Sequence, residues 1–89
     1  MTSEELFNYI ECGHEIEWNY QNKRFSITFF EDDTKQIGIS FCEFYKPPID
    51  VYAFEELIHI NYNGVTVMEM LESLGDEEEA LKRGDLDIY

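Results

Sequence analysis

One alternation constrains this chain more than any other feature: Ile16, Trp18 and Tyr20 alternate with Glu15, Glu17 and Asn19, and Phe25, Ile27 and Phe29 alternate with Ser26 and Thr28 a few residues later. Successive side chains of a strand point to opposite faces, so each run reads as a strand with one apolar and one polar side. A two-residue turn at Asn22-Lys23 predicts a hairpin in which Tyr20 faces Phe25, Trp18 faces Ile27 and Ile16 faces Phe29. The large apolar side chains then share one face. The other face carries Glu15, Glu17, Asn19, Ser26 and Thr28. A slip of one residue would turn the whole apolar set toward water.

The same arithmetic extends past the polar stretch that follows Phe30. Ile37, Ile39 and Phe41 alternate with Gly38, Ser40 and Cys42, a third strand. A loop centred on Asp32-Asp33-Thr34 sets Ile39 against Ile27 and Ser40 beside Ser26. The expected sheet is a three-stranded antiparallel meander whose apolar face must be covered, and the flanking segments supply helices.

Thr2 and Glu5 form a capping box ahead of Leu6, Phe7, Tyr9 and Ile10, and Gly13 supplies a stop. After the third strand, Phe44-Tyr45-Lys46-Pro47-Pro48 reads as a connector because the prolines lack amide donors. Asp50 is the expected cap of a helix with Phe54, Leu57 and Ile58 inward and Glu55 and Glu56 outward. Asn63-Gly64 marks a turn, and Thr66 with Glu69 opens the best-marked helix, burying Val67, Met70, Leu71 and Leu74 up to Gly75. Asp76 and Glu79 predict a last short helix or turn, with Lys82 and Arg83 at its carboxyl end. Asp85 to Tyr89 is compatible with an edge strand or a frayed end. The fold class is α+β: helix, meander, then two or three helices on one sheet face, in one domain spanning 1–89.

Aspartate and glutamate number 20 against 6 lysines and arginines, a formal net charge of -14. Such a field repels phosphate backbones and anionic lipid heads, so direct contact with nucleic acid or a membrane is disfavoured. Apolar residues at 44% and aromatics at 16% nevertheless exceed what a disordered acidic tail carries. With no long apolar run and no secretory leader pattern, a soluble cytoplasmic protein is expected.

Catalytic patterns are missing: there is no glycine-rich phosphate loop, nucleophile elbow or paired-histidine metal helix. Cys12, His14, Cys42 and His59 are the residue types of a zinc site but contain no C-x-x-C pair, so two reduced thiols and no metal are expected. The acidic run from Asp76 to Glu79 lacks the alternating ligands and internal glycine of a calcium loop. The reading is a non-enzyme without cofactors.

Aromatic residues exceed what the expected core needs. Phe30, Phe44, Tyr45, Tyr52, Tyr62 and Tyr89 have no assigned place, and rings among carboxylates suit an arginine-rich surface. The expected interaction surface comprises Glu15, Glu17, Phe30, Asp32, Asp33, Phe44, Tyr45, Tyr52, Tyr62, Glu77 and Glu78, and the expected partner is a basic protein. Two alternatives are a small-ligand or metal site on the outer sheet face around Ser26, Thr28, Gly38, Ser40 and Cys42 beside His14, and a homodimer, instead of a monomer, paired through the first or third strand.

Glu15 to Ile27, Ile39 to Tyr45 and Tyr62 to Leu74 resemble segments of small hypothetical proteins of Gram-positive bacteria and their mobile elements, a likeness covering most of the chain. It implies a fold and carries no catalytic residues. The element order and acidity are similar to those of some anti-CRISPR proteins, which occupy a nuclease's DNA-binding site with carboxylates and aromatics. That likeness implies inhibition of a basic nucleic-acid-binding partner by charge mimicry.

Overall fold

A computed structural model describes residues 1–89, which form a mixed helix and sheet protein. The capping box of Thr2 and Glu5 opens α1 (Ser3–Glu11), with the Glu5 amide donating to Thr2 Oγ1 and the Thr2 amide donating to Glu5 Oε1. Three long strands follow: β1 (Ile16–Tyr20), β2 (Lys23–Glu31) and β3 (Ile37–Glu43). Two short strands, β4 (Ile49–Val51) and β7 (Leu86–Ile88), flank them in a five-stranded antiparallel sheet of order β4-β3-β2-β1-β7. Between the two lie α2 (Phe54–Ile58), the small hairpin β5 (Asn61–Tyr62) with β6 (Val65–Thr66), α3 (Val67–Glu72) and α4 (Glu77–Arg83).

The expected face assignment holds, whereas both registers differ from expectation by two residues. Trp18 pairs with Phe25 and Ile16 with Ile27, so the turn is Gln21-Asn22, not Asn22-Lys23. Both turn residues take positive φ, 49° and 63°, the geometry that matches the twist of a two-residue hairpin. Ile27 pairs with Phe41, not Ile39, and Ser40 pairs with Thr28, not Ser26. Ring packing accounts for the choice: Trp18 stacks on Phe25 at 5.7 Å, and Phe25 stacks on Phe41 at 5.7 Å. A shift of two residues keeps every side chain on its face. A shift of one would expose the inner row, whose burial at about 1.5–3 kcal/mol per large side chain is comparable to the whole stability of a small domain.

The sheet is also wider than a three-stranded meander. Asp50 does not cap α2 but lies in β4 opposite Ser40. In its place the Glu56 carboxylate turns back and accepts from the amides of Tyr52 and Ala53, at 3.2 and 3.0 Å. The chain end is an edge strand: Leu86 pairs with Trp18 and Ile88 with Ile16. β1 and β3 are therefore interior, and β7 and β4 lie along the edges that pairing through the first or third strand would use. The new edges are three residues long, one following Pro47-Pro48 and the other carrying Asp87, and short, charged or proline-flanked edges resist pairing.

A single apolar cluster joins Ile16, Trp18, Phe25, Ile27, Ile39, Phe41 and Leu86 of the sheet to Leu6, Leu57, Val67, Met70, Leu71, Leu74 and Ala80 of the helical segments. Met70 and Leu71 are inward because the box of Thr66 and Glu69 starts α3 in the phase that points them there. Tyr62, expected on the surface, is partly buried and packs against this core. Its ring packs edge-on to Phe25 and Phe41 at 5.8 and 5.4 Å, and its hydroxyl donates to Glu43 at 2.8 Å. No helix is long and apolar enough to cross a membrane.

Candidate functional site

The face of the sheet opposite the helices stays open. Parity along the strands places Glu17, Asn19, Arg24, Ser26, Thr28, Phe30, Gly38, Ser40, Cys42, Asp50 and Asp87 there, and none of them belongs to the apolar cluster.

On the β1–β7 side, the cross-strand neighbours Glu17 and Asp87 would repel one another. Arg24 reaches both. Its guanidinium donates to Glu17 Oε1 at 3.2 Å, to Asn19 Oδ1 at 3.0 Å, and to Asp87. Burial pulls the Arg24 ionisation down, but the bonds to Asp87 and Glu17 outweigh it and leave the group above its ordinary value. Asp85 is paired in turn with Arg83 at 2.9 Å and lies below the usual carboxylate range because of that bond and one from Asn19. Asp85 and Asp87, before and within the edge strand, thus each have a cationic neighbour.

The β3–β4 side is built differently. Phe30 stands opposite Gly38, and its ring folds across the glycine so closely that a Cβ there would lie 2.2 Å from the ring tip. Tyr52, one residue beyond β4, meets that ring edge-on at 5.6 Å. The Tyr52 hydroxyl donates to Asp32 Oδ2 at 3.0 Å. Asp32 also organises the β2–β3 loop, accepting from the Thr34 amide at 2.8 Å, the Thr34 hydroxyl at 2.7 Å and the Gln36 amide at 3.0 Å. The Thr34 hydroxyl and the Gln36 amide lower its pKa to about 2, so it is ionised at any ordinary pH. Asp50 accepts only from the Ser40 hydroxyl, at 2.8 Å, and neither Asp32, Asp33 nor Asp50 has a cationic partner.

Three of the expected surface residues, Phe30, Asp32 and Tyr52, therefore meet, with Asp33 exposed on the adjoining loop. Phe44 and Tyr45 form a separate pair at 6.1 Å in the turn after β3, where Tyr45 is 98% exposed. Glu17 is consumed by Arg24, and Glu15 is exposed beside Tyr89, whose amide donates to the Glu15 carbonyl. Glu77 is withdrawn from the surface set: Tyr9 donates to it across the α1–α4 junction, and burial raises its pKa. Glu78 remains exposed on α4.

Several groups of the small-ligand and metal readings have partners within the chain. His14 Nδ1 lies 2.7 Å from the Tyr89 carbonyl and His59 Nδ1 lies 2.8 Å from the Glu55 carbonyl. The Cys42 thiol donates to the Glu43 and Lys46 carbonyls, and Cys12 is exposed. No three His, Cys, Asp or Glu side chains converge as metal ligands. Gly38 lies beneath Phe30 and offers no open floor. The largest concavity, about 550 Å³, lies instead at the hairpin tip between Asn19, Lys23, Arg24 and Asp85, where the guanidinium is already engaged by Glu17, Asn19 and Asp87.

Two participants were not anticipated from the sequence. Arg24 sits on the outer face by the same parity that placed Ser26, and extending the alternation by one step would have found it. Asp87 reaches it only because the chain end pairs with β1, which no local pattern announces. Comparison with protein-family models, curated proteins and solved structures returns no match for the chain.

Proposed function

We propose that this protein is a non-enzymatic interaction module that takes a basic protein surface onto its open sheet face. The observation that carries this reading is the β3–β4 half of that face, where Asp32 accepts from Tyr52 of the Phe30–Tyr52 pair, Asp50 shares the face, Asp33 is exposed on the adjoining loop, and none of the three forms an ion pair within the chain. Carboxylates left without internal counter-charge attract an external one. The net charge of -14 adds long-range steering, so association is fast at low salt and falls steeply as salt rises. Half-exposed aromatic rings supply the contact area that charge alone lacks.

Where the partner is a nucleic-acid-binding protein, the carboxylates compete with phosphates for its cations, and the module acts as an inhibitor by charge mimicry. The test is a titration of purified basic nucleic-acid-binding domains at low and high salt, with DNA as competitor. The expected result is salt-sensitive binding that DNA displaces, and the absence of binding at low salt for every such domain overturns the reading.

A further inference from the structure

We infer that the Phe30–Tyr52 site receives an arginine side chain of the partner and discriminates guanidinium from the ammonium of lysine. The inference rests on the interaction-module reading and adds the chemistry that selects the partner.

Three features of the site fit a flat delocalised cation. Tyr52 is 46% exposed and meets the half-buried Phe30 ring edge-on at 67°, and an exposed tyrosine ring stacks a guanidinium plane better than it holds a hydrated ammonium. Glycine at position 38 makes the corner possible, because any side chain there would drive the Phe30 ring off the sheet. Asp32 is held in one orientation by Thr34, Gln36 and Tyr52, and Asp50 by Ser40, so acceptors for the rim donors are in place before binding. The same face already holds a guanidinium by hydrogen bonds, since Arg24 donates to Glu17, Asn19 and Asp87. The β3–β4 half has the carboxylates and the rings but no arginine of its own.

The test uses the full chain and two labelled peptides of equal length, oligo-arginine and oligo-lysine, titrated by fluorescence anisotropy at low salt. The expected result is a preference for oligo-arginine of about tenfold, the scale of one stacked and hydrogen-bonded cation. Tyr52→Ala removes one wall, and Gly38→Ala displaces the other without touching an acceptor. Each is expected to bring the two affinities to within about twofold while weak, salt-sensitive binding of both peptides persists. Circular dichroism establishes that the variants are folded. Equal affinities for the wild-type chain, or a preference retained in both folded variants, overturn the arginine site and leave the broader reading standing. If neither peptide binds at low salt, both readings fall together.

Discussion

The two halves of the open sheet face carry similar carboxylates in opposite electrostatic situations. Beside β7, Glu17 and Asp87 share one guanidinium, and the group is closed on itself. Beside β4, Asp32 and Asp50 are satisfied only by hydroxyls and amides. Those neutral donors fix the carboxylates without cancelling their charge. The difference teaches that net charge does not locate a binding surface: what matters is which acidic groups the protein has left uncancelled and has also made rigid.

The comparison breaks first if its shared platform is removed. Trp18 is fully buried against the rings of Phe25 and Phe41, and Trp18→Ala is expected to cost about 3–5 kcal/mol, visible as a large drop in urea midpoint. Both halves should then lose function together. Next in size, Arg24→Ala leaves Glu17 and Asp87 facing each other uncompensated on neighbouring strands, at an expected cost of about 1–3 kcal/mol. Because the penalty is largely repulsion, added salt should recover part of it, the reverse of the salt response expected for partner binding. Loss of stability that salt leaves untouched would show that the arginine acts by packing alone.

Gly38→Ala probes the other half and should cost no more than about 1.5 kcal/mol, since the clashing atoms are the tip of a ring that can rotate away. Tyr52→Ala, at a side chain 46% exposed, should change stability by less than about 1 kcal/mol. A greater loss in either variant would mean that the aromatic pair is structural. The smallest effect concerns pH. Asp32 has its pKa lowered from 3.8 to about 2, so its contribution is complete above about pH 4 and is lost as pH falls toward 2. Glu77 runs the other way: burial raises its pKa, so its contribution is complete below the usual carboxylate range and is lost as pH rises through the raised value. Carboxyl-carbon NMR titration should show the two groups displaced on opposite sides of the ordinary range.

Face assignment was legible because the strand period is two, and a register error of two residues leaves it intact. Ile16, Trp18, Phe25, Ile27, Ile39 and Phe41 are all inward although neither hairpin turn falls where local residue preferences suggest. Helix starts at Thr2, Thr66 and Asp76 were equally legible, since each cap is a contact within four residues of chain. What escaped were the elements made by their surroundings. Ile49–Val51 and Leu86–Ile88 are too short to show an alternation and become strands because β3 and β1 offer them open edges. The site inherits that difficulty. Phe30, Asp32 and Tyr52 could each be named from residue type, but their meeting requires β4 to pair with β3 and carry Tyr52 across Gly38. Tyr62 was misplaced for the related reason that a two-stranded ribbon folds its ring back over Phe25.

Trp18 has a practical corollary. It is the chain's one tryptophan, fully enclosed, with an indole nitrogen that finds no acceptor. Its emission should be short in wavelength while the interior is dry and move to the red only when water enters. Since the indole lies beneath the strands and any guest arrives above them, this intrinsic fluorophore should monitor integrity and ignore occupancy, so one cuvette can tell a variant that has come apart from one that has merely lost its guest.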